Sequence, residues 1–219
     1  MQRGIDAGKI SVVKNGANRA LFQPLPKDEA LLRELHLEGK RIIGYIGTHG
    51  MAHKLDFILR CAKHLEPAYP QYHFLFIGDG AEKEKLLALK QELQCHNVTM
   101  LPSVPKTEVK RYISILDICL INLRRSPLFT TVIPSKIFEN AAMEIPILMG
   151  VEGEAKDIVE HYGAGYCFTP EERLTLWLIA ICWKIRRIMP AAKRGADCLL
   201  PILTARCWPT KCLRYCDKR

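Results

Sequence analysis

From Lys40 to Phe168 short apolar runs alternate with longer stretches in which apolar residues recur every three or four positions. The runs RIIGYIG (41–47), YHFLFIG (72–78), NVTML (97–101), DICLIN (117–122), IPILMG (145–150) and GYCF (165–168) are brief and rich in Ile, Leu, Val and Phe. Such continuous apolarity over so few residues predicts strands buried on both faces. Helices are predicted between them at 53–65, 82–93, 106–115, 135–143 and 154–162. In the second, Leu86, Leu87, Leu89 and Leu93 form one stripe, while Glu82, Lys83, Glu84 and Lys85 are expected in solvent. The βαβα rhythm predicts an α/β fold with a parallel, doubly wound sheet. Ligands of such sheets bind beyond the carboxyl ends of the strands, so those ends are where chemistry is sought.

The two ends of the chain break the pattern. Residues 1–39 hold KISVVKNGANRALFQPLP, which reads as a strand, an Asn15-Gly16 turn and a Pro-marked linker, followed by a short helix at 28–35. A lone strand there needs a sheet to join, which predicts a preceding domain and makes 1–39 a crossover segment into a body at 40–171. The third region, 172–219, holds all three Trp and five of the nine Cys.

Charge follows the same division. The net charge of +9 suggests a nucleic-acid or anionic-membrane partner until it is located. Residues 172–219 contain eleven basic and three acidic residues, a net of +8, and the body is left near neutral. Nucleic acid is therefore not an expected partner of the body. Cys207, Cys212 and Cys216 with the remote His161 make a poor zinc set, and no metal or cofactor is expected. No run of about 18 apolar residues occurs. MQRGIDAGK lacks a signal-peptide core, so the expected location is cytoplasmic.

Three strand ends carry candidate chemistry. In GYIGTHGMAH, Gly47, Thr48, His49 and Gly50 stand where a strand turns into a helix. Glycines let backbone N–H groups approach an anion, and the stretch reads equally as a diphosphate loop or a tight β–α turn. The spacing is not the dinucleotide fingerprint. In FIGDGAEKEKL, Gly78 and Gly80 read mainly as turn residues, and the acidic first turn argues against an anion there. In IPSKIFE, Ser135 is a good N-cap, while Lys136 places a cation in the first turn, where a bound anion would relieve the conflict. Glu139, an acceptor-only carboxylate, can take two sugar hydroxyls. The plain alternative keeps Ser135 as a cap, Lys136 in solvent and Glu139 in a local pair.

The ordered set GYIGTHGMAHKLDFIL, FLFIGDGAEKEKL, VTMLPSVPKTEVKRYISILDICLINL, IPSKIFENAAMEIPIL and GVEGEAKDIVEHYGAGYCFTPE resembles the donor-binding half of retaining glycosyltransferases of family 4, with the GT-B fold. The IPSKIFE form is similar to the WbuB-like enzymes of bacterial surface-polysaccharide synthesis. The resemblance implies a Rossmann-like domain that binds a nucleotide-sugar, often a UDP-sugar. It implies Gly47–Gly50, Ser135 and Lys136 at the diphosphate, with Lys136 and Lys54 as the candidate neutralising cations, Glu139 on the ribose and the backbone around Val104 near the base. It also implies a lipid-linked or glycan acceptor, reached at a membrane surface and in bacteria at the inner membrane.

Departures from the family limit the expectation. Counting back eight positions from Glu139 gives Thr131, where many relatives have a second glutamate. Thr48 or His49, then His53-Lys54, occupy positions where many relatives carry Arg and Lys-Gly. A leaving diphosphate needs neutralisation, which is worth several kcal/mol. The family's acceptor-binding domain is not in this chain, so donor binding without transfer is expected, and no catalytic residue is assigned. A UDP-sugar epimerase half and a non-catalytic α/β binding module remain the alternatives.

After Glu171 the resemblance stops. A reading-frame change is the favoured account, since a one-base shift permits DFDRAVLADKMLAVL for 201–216. The rival is an interfacial helix, LTLWLIAICWKIRRIM, with a basic flank.

Overall fold

A computed structural model describes residues 6–9 and 15–171. Both accounts of 172–219, and the strand read in KISVV, fall on residues outside this set. Six parallel strands form one sheet in the order β3-β2-β1-β4-β5-β6. They are β1 Arg41–Ile46, β2 Tyr72–Ile77, β3 Val98–Leu101, β4 Ile118–Asn122, β5 Ile147–Gly150 and β6 Gly165–Cys167. The helices are α1 Glu29–Glu34, α2 Leu55–Leu65, α3 Lys83–Glu92, α4 Lys106–Ser114, α5 Lys136–Ala142 and α6 Glu154–His161. Every predicted strand and helix of the body is present within a few residues of its expected bounds.

The period of two along the strands sorts side chains into two cores. Ile43, Tyr45, Phe74, Phe76, Leu120 and Leu148 pack on one face with α2 and α3. Ile42, Leu75 and Ile77 pack on the other with α1 and the end of α4, and Cys119, Ile121, Ile147 and Met149 with α5 and α6. All six residues of β2 are buried, as a central parallel strand requires.

The boundary expected at residue 39 falls inside the packed body. Leu31, Leu32 and Leu37 are buried against Ile42 and Leu116. Asp28 caps α1 by accepting from the Leu31 N–H at 2.8 Å and pairs with Arg111 on α4 at 2.6 Å. Those contacts hold the Asp28 carboxyl below its ordinary range, Arg111 contributing most. Further upstream, Phe22 is 2% exposed and packs with Ile113 of α4, Phe138 and Ala142 of α5, and Met143 just after it. The turn expected at Asn15-Gly16 lies three residues later. Asn18 closes it, its side-chain oxygen accepting from Ala20 N–H at 3.0 Å and its carbonyl from Leu21 and Phe22.

The chain builds β1, β2 and β3 outward, then crosses back through α4 to lay β4 against β1. The order reverses between β1 and β4, and the register pairs only Ile43 with Ile118 and Gly44 with Cys119. Beyond that short ladder the two strand ends stay tied, Asn122 donating its side-chain amide to the His53 carbonyl at 2.8 Å and Arg124 its N–H to the Ala52 carbonyl at 2.7 Å. In sheets of this kind the ligand crevice lies where the strand order reverses, which here is at the carboxyl ends of β1 and β4, between the loop after Ile46 and the start of α5.

Candidate functional site

Tyr45 is the centre of this crevice. It is wholly buried, and its hydroxyl donates to the Thr48 carbonyl at 2.7 Å, closing the turn that follows β1. Three basic side chains gather at its ring. The Lys136 ammonium lies 4.2 Å from the ring centroid. The His53 and His49 rings sit 5.7 and 5.9 Å away.

Gly47 makes the Lys136 contact possible. A Cβ at Gly47 would overlap the lysine Nζ and lie 2.6 Å from its Cε, so only a residue without a side chain lets the amine cross the strand end. Lys136 starts on the α5 side of the sheet and reaches Tyr45 on the other side. It has no carboxylate within 4.0 Å and no hydrogen-bond partner among the described residues. Burial lowers its pKa, opposed by Cys119 and Glu139. The reading of Lys136 as a solvated residue is thus overturned. A half-buried ammonium held by cation–π attraction alone is available to an anion.

The loop amides divide. Gly47 N–H donates to Ile77 O at 2.8 Å and His49 N–H to Asp79 O at 2.8 Å, so both are spent inside the fold. Thr48 and Gly50 N–H make no bond among the described residues. Thr48 is exposed and Gly50 half-buried. Of the four loop residues expected at a diphosphate, Thr48 and Gly50 are the ones with free amides.

His49 requires correction. Its ring is 0% exposed, covered by the Gly78–Gly80 turn, and neither nitrogen has a partner among the described residues. Burial, and then Lys83, press its pKa down to about 4, so the ring is neutral at pH 7. It is neither solvated nor in reach of a ligand at the crevice surface, and its carbonyl is taken by Glu82 N–H at 2.9 Å. The glycines read as turn residues also form the lid over it. Gly78 and Gly80 have φ of 146° and 153°, and a Cβ at Gly80 would stand 2.6 Å from His49 O.

Lys83, expected in solvent, turns inward to serve the same lid. Its ammonium donates to Gly78 O at 2.8 Å and Leu101 O at 2.6 Å, tying together the carboxyl ends of β2 and β3. Burial lowers its pKa, offset in part by Asp79 and Glu84.

At α5, Ser135 is exposed and its hydroxyl makes no capping bond. The capping explanation for that residue therefore fails. Glu139 is half-buried on the next turn, with no ion pair or side-chain hydrogen bond among the described residues, so the local-pair reading fails too. Val104 lies in the loop after β3, packed on the Leu75 and Ile77 core.

Lys54 is turned away. Its ammonium pairs with Asp56 at 3.2 Å, and it lines a cavity of about 570 Å³ with Met51, Lys85, Leu89 and Arg124, which contains none of the other candidates. Its backbone sits at φ 49°, ψ 44°, between the 3-10 turn Met51–His53 and α2. The left-handed region costs a residue with a Cβ about 1–2 kcal/mol, and the exposed Asp56 pair returns little. Lys54→Gly is expected to raise stability by about 0.5–1 kcal/mol, read as a higher urea midpoint. An unchanged or lower midpoint would count against strain at this position.

Tyr45, His53, Lys83 and Asn122 were not among the assigned site residues. Asn122, 0% exposed at the end of β4, donates to the His53 carbonyl at 2.8 Å and fixes the 3-10 turn against the sheet. The visible signal for Tyr45 was a single hydroxyl-bearing residue inside an aliphatic strand, but periodicity reads it as core. No group of three or more His, Cys, Asp or Glu that could hold a metal ion occurs among the described residues. No helix among them is long and apolar enough to cross a membrane.

Comparison with known proteins bears on this geometry. Residues 26–178 match the family model described as glycosyl transferases group 1. The chain is 25% identical over 174 residues to the probable glycosyltransferase WbjE of Pseudomonas aeruginosa, covering 78% of this chain and 43% of that protein. It is 29% identical over 142 residues to the putative teichuronic acid biosynthesis glycosyltransferase TuaH of Bacillus subtilis, covering 64% and 34%. The chain therefore spans less than half the length of either. Among solved structures, Anabaena Alr3699/HepE in complex with UDP superposes with a TM-score of 0.80 at 16% identity, covering 100% of this chain and 60% of that one.

Proposed function

The chain belongs to the group 1 glycosyl transferases, and from that membership we propose that its crevice binds the nucleoside diphosphate of a nucleotide-sugar, UDP-linked, as the donor site of a retaining enzyme of family 4. The observation that carries the reading is Lys136, an ammonium without an acidic partner among the described residues, held over Tyr45 where the strand order reverses. The free amides of Thr48 and Gly50 border the same crevice, and Ser135 opens α5 beside it. The diphosphate lies against this group. Glu139, unpaired on the next turn of α5, accepts the ribose hydroxyls, and the Val104 loop borders the base.

HepE, which shares the fold, was solved with UDP, which supports that nucleotide. The names of WbjE and TuaH support a glycan product. The finer assignments draw on the resemblance to family 4 and on the sequence: a WbuB-like branch from the IPSKIFE segment, a lipid-linked or glycan acceptor, and a cytoplasmic site at the inner-membrane surface. Since the chain spans 43% and 34% of its curated relatives, transfer to an acceptor is proposed to need more protein than this chain supplies.

Calorimetric titration with UDP tests the donor site. The wild-type chain is expected to bind, and Glu139→Ala to weaken binding about tenfold to thirtyfold, the worth of charge-assisted hydrogen bonds to a diol. Absence of binding by the folded wild type would sink the proposal in favour of a non-catalytic module. Equal affinity of the variant would remove Glu139 from the ribose.

A further inference from the structure

The Lys136 ammonium is a single positive charge, whereas the diphosphate of a nucleotide-sugar carries two negative ones. A second base flanks the same aromatic ring. His53 sits edge-on to Tyr45 at 61°, its ring partly exposed, on the 3-10 turn that Asn122 fixes from β4. No carboxylate lies within ion-pair distance of it among the described residues. Resting on the donor reading above, we propose that His53 is the second diphosphate-binding cation of this site, and that it becomes one only on binding, by taking up a proton from solvent.

The surroundings of His53 decide its behaviour. Tyr45 of β1 gives it a ring edge and no charge. His49, on the loop after β1, is neutral and buried. Lys136 of α5 is the nearby cation, and the Asn122 main chain of β4 is the group that favours the charged form. In the free protein, burial and Lys136 both hold the imidazole below its ordinary pKa, so it is neutral at pH 7. A diphosphate between the two bases reverses the balance, because an anion within a few ångströms favours imidazolium and screens it from Lys136. The proton comes from the buffer, and up to one is gained per nucleotide bound. By linkage, donor affinity rises as pH falls through the bound-state pKa of His53.

The experiment is calorimetry on the full chain with UDP-glucose, which has no group titrating near neutrality, and in parallel with UDP. Two buffers of different ionisation enthalpy give the protons taken up directly. The wild type is expected to gain up to one proton near neutrality and to lose about tenfold in affinity between about pH 6.5 and about pH 8.5. His53→Gln is expected to bind weakly with no such uptake. His53→Lys, a permanent cation, is expected to restore affinity with a flat pH profile, which a purely structural role for His53 would not produce. With UDP, whose own phosphate titrates in this range, the difference between wild type and His53→Gln carries the same reading. Nucleotide bound by His53→Gln with unchanged proton uptake overturns the proposal and leaves the donor site standing. Failure of the folded wild type to bind either nucleotide overturns both.

Discussion

Gly78→Ala is expected to be among the most damaging small substitutions in the body, lowering stability by about 3–5 kcal/mol. Gly78 holds φ 146°, where an L side chain is strained whatever the space around it. The space is also absent: a Cβ there would overlap Gly47 O, lie 2.8 Å from Gly47 C, and touch the His49 ring at 3.4 Å. Neither neighbour yields cheaply. Gly47 is held by its N–H bond to Ile77, and Gly78 by the Lys83 ammonium on its carbonyl. The two loops that frame the crevice therefore meet backbone to backbone, and a methyl group forces them apart. A thermal melt followed by circular dichroism should show the midpoint falling by about 10 °C. Gly50→Ala is the control, because its φ is −109° and its nearest neighbour stands 3.7 Å away. Equal melting of Gly78→Ala and wild type would refute the close-approach argument.

The second large effect is acid lability well above the carboxylate range. His49 and His73 are both buried, and burial is the main cause holding each near 4 in place of 6.5. For His73, Lys40 and Lys90 push the same way, and its Nε2 stands 2.9 Å from Thr99 Oγ1. The folded pKa lies below the unfolded one, so the unfolded chain binds protons first as pH falls. Stability is whole above about 6.5, declines below it, and is fully lost from this source below about 4. At about pH 5 each histidine costs about 2 kcal/mol, a large share of the ordinary margin. His53, shifted the same way, adds to the loss. Asp28 and Glu66 are also held below their ordinary ranges, but their contributions fade only below their unfolded values near 4, so they leave this window to the histidines. Urea unfolding at about pH 7 and about pH 5 should show the midpoint dropping by about 1–2 M. His73→Gln, which keeps a polar partner for Thr99 and cannot titrate, should recover about half the drop. Coincident midpoints at the two pH values would show that neither ring is forced to remain neutral.

The acid effect and the proposed proton uptake by His53 are separable. One is read as unfolding in the absence of nucleotide. The other is read as bound protons in a folded protein near neutrality.

Layering was legible in the chain alone, because water and core sort side chains residue by residue. Continuous apolar runs of four to seven residues, too short for helices, read as strands covered on both sides, and the stripes between them as the covers. IPSKIFE likewise announced a helix start with an unpaired look, and the structure leaves Lys136 and Glu139 without acidic or basic partners among the described residues. What periodicity cannot carry is the distance between residues far apart in sequence. Lys136 reaches Tyr45 because β4 lies beside β1 and because Gly47 offers no side chain, a coincidence of strand order and one missing Cβ. His49 is buried because a second loop, thirty residues on, closes over it, and Lys83 turns inward because the ends of β2 and β3 leave two carbonyls to satisfy. Sequence determined the sheet, its covers and the residue types at its carboxyl edge. Tertiary structure alone decided which of those residues are spent holding the loops together and which are left free for a ligand, since that depends on backbone groups paired across the chain.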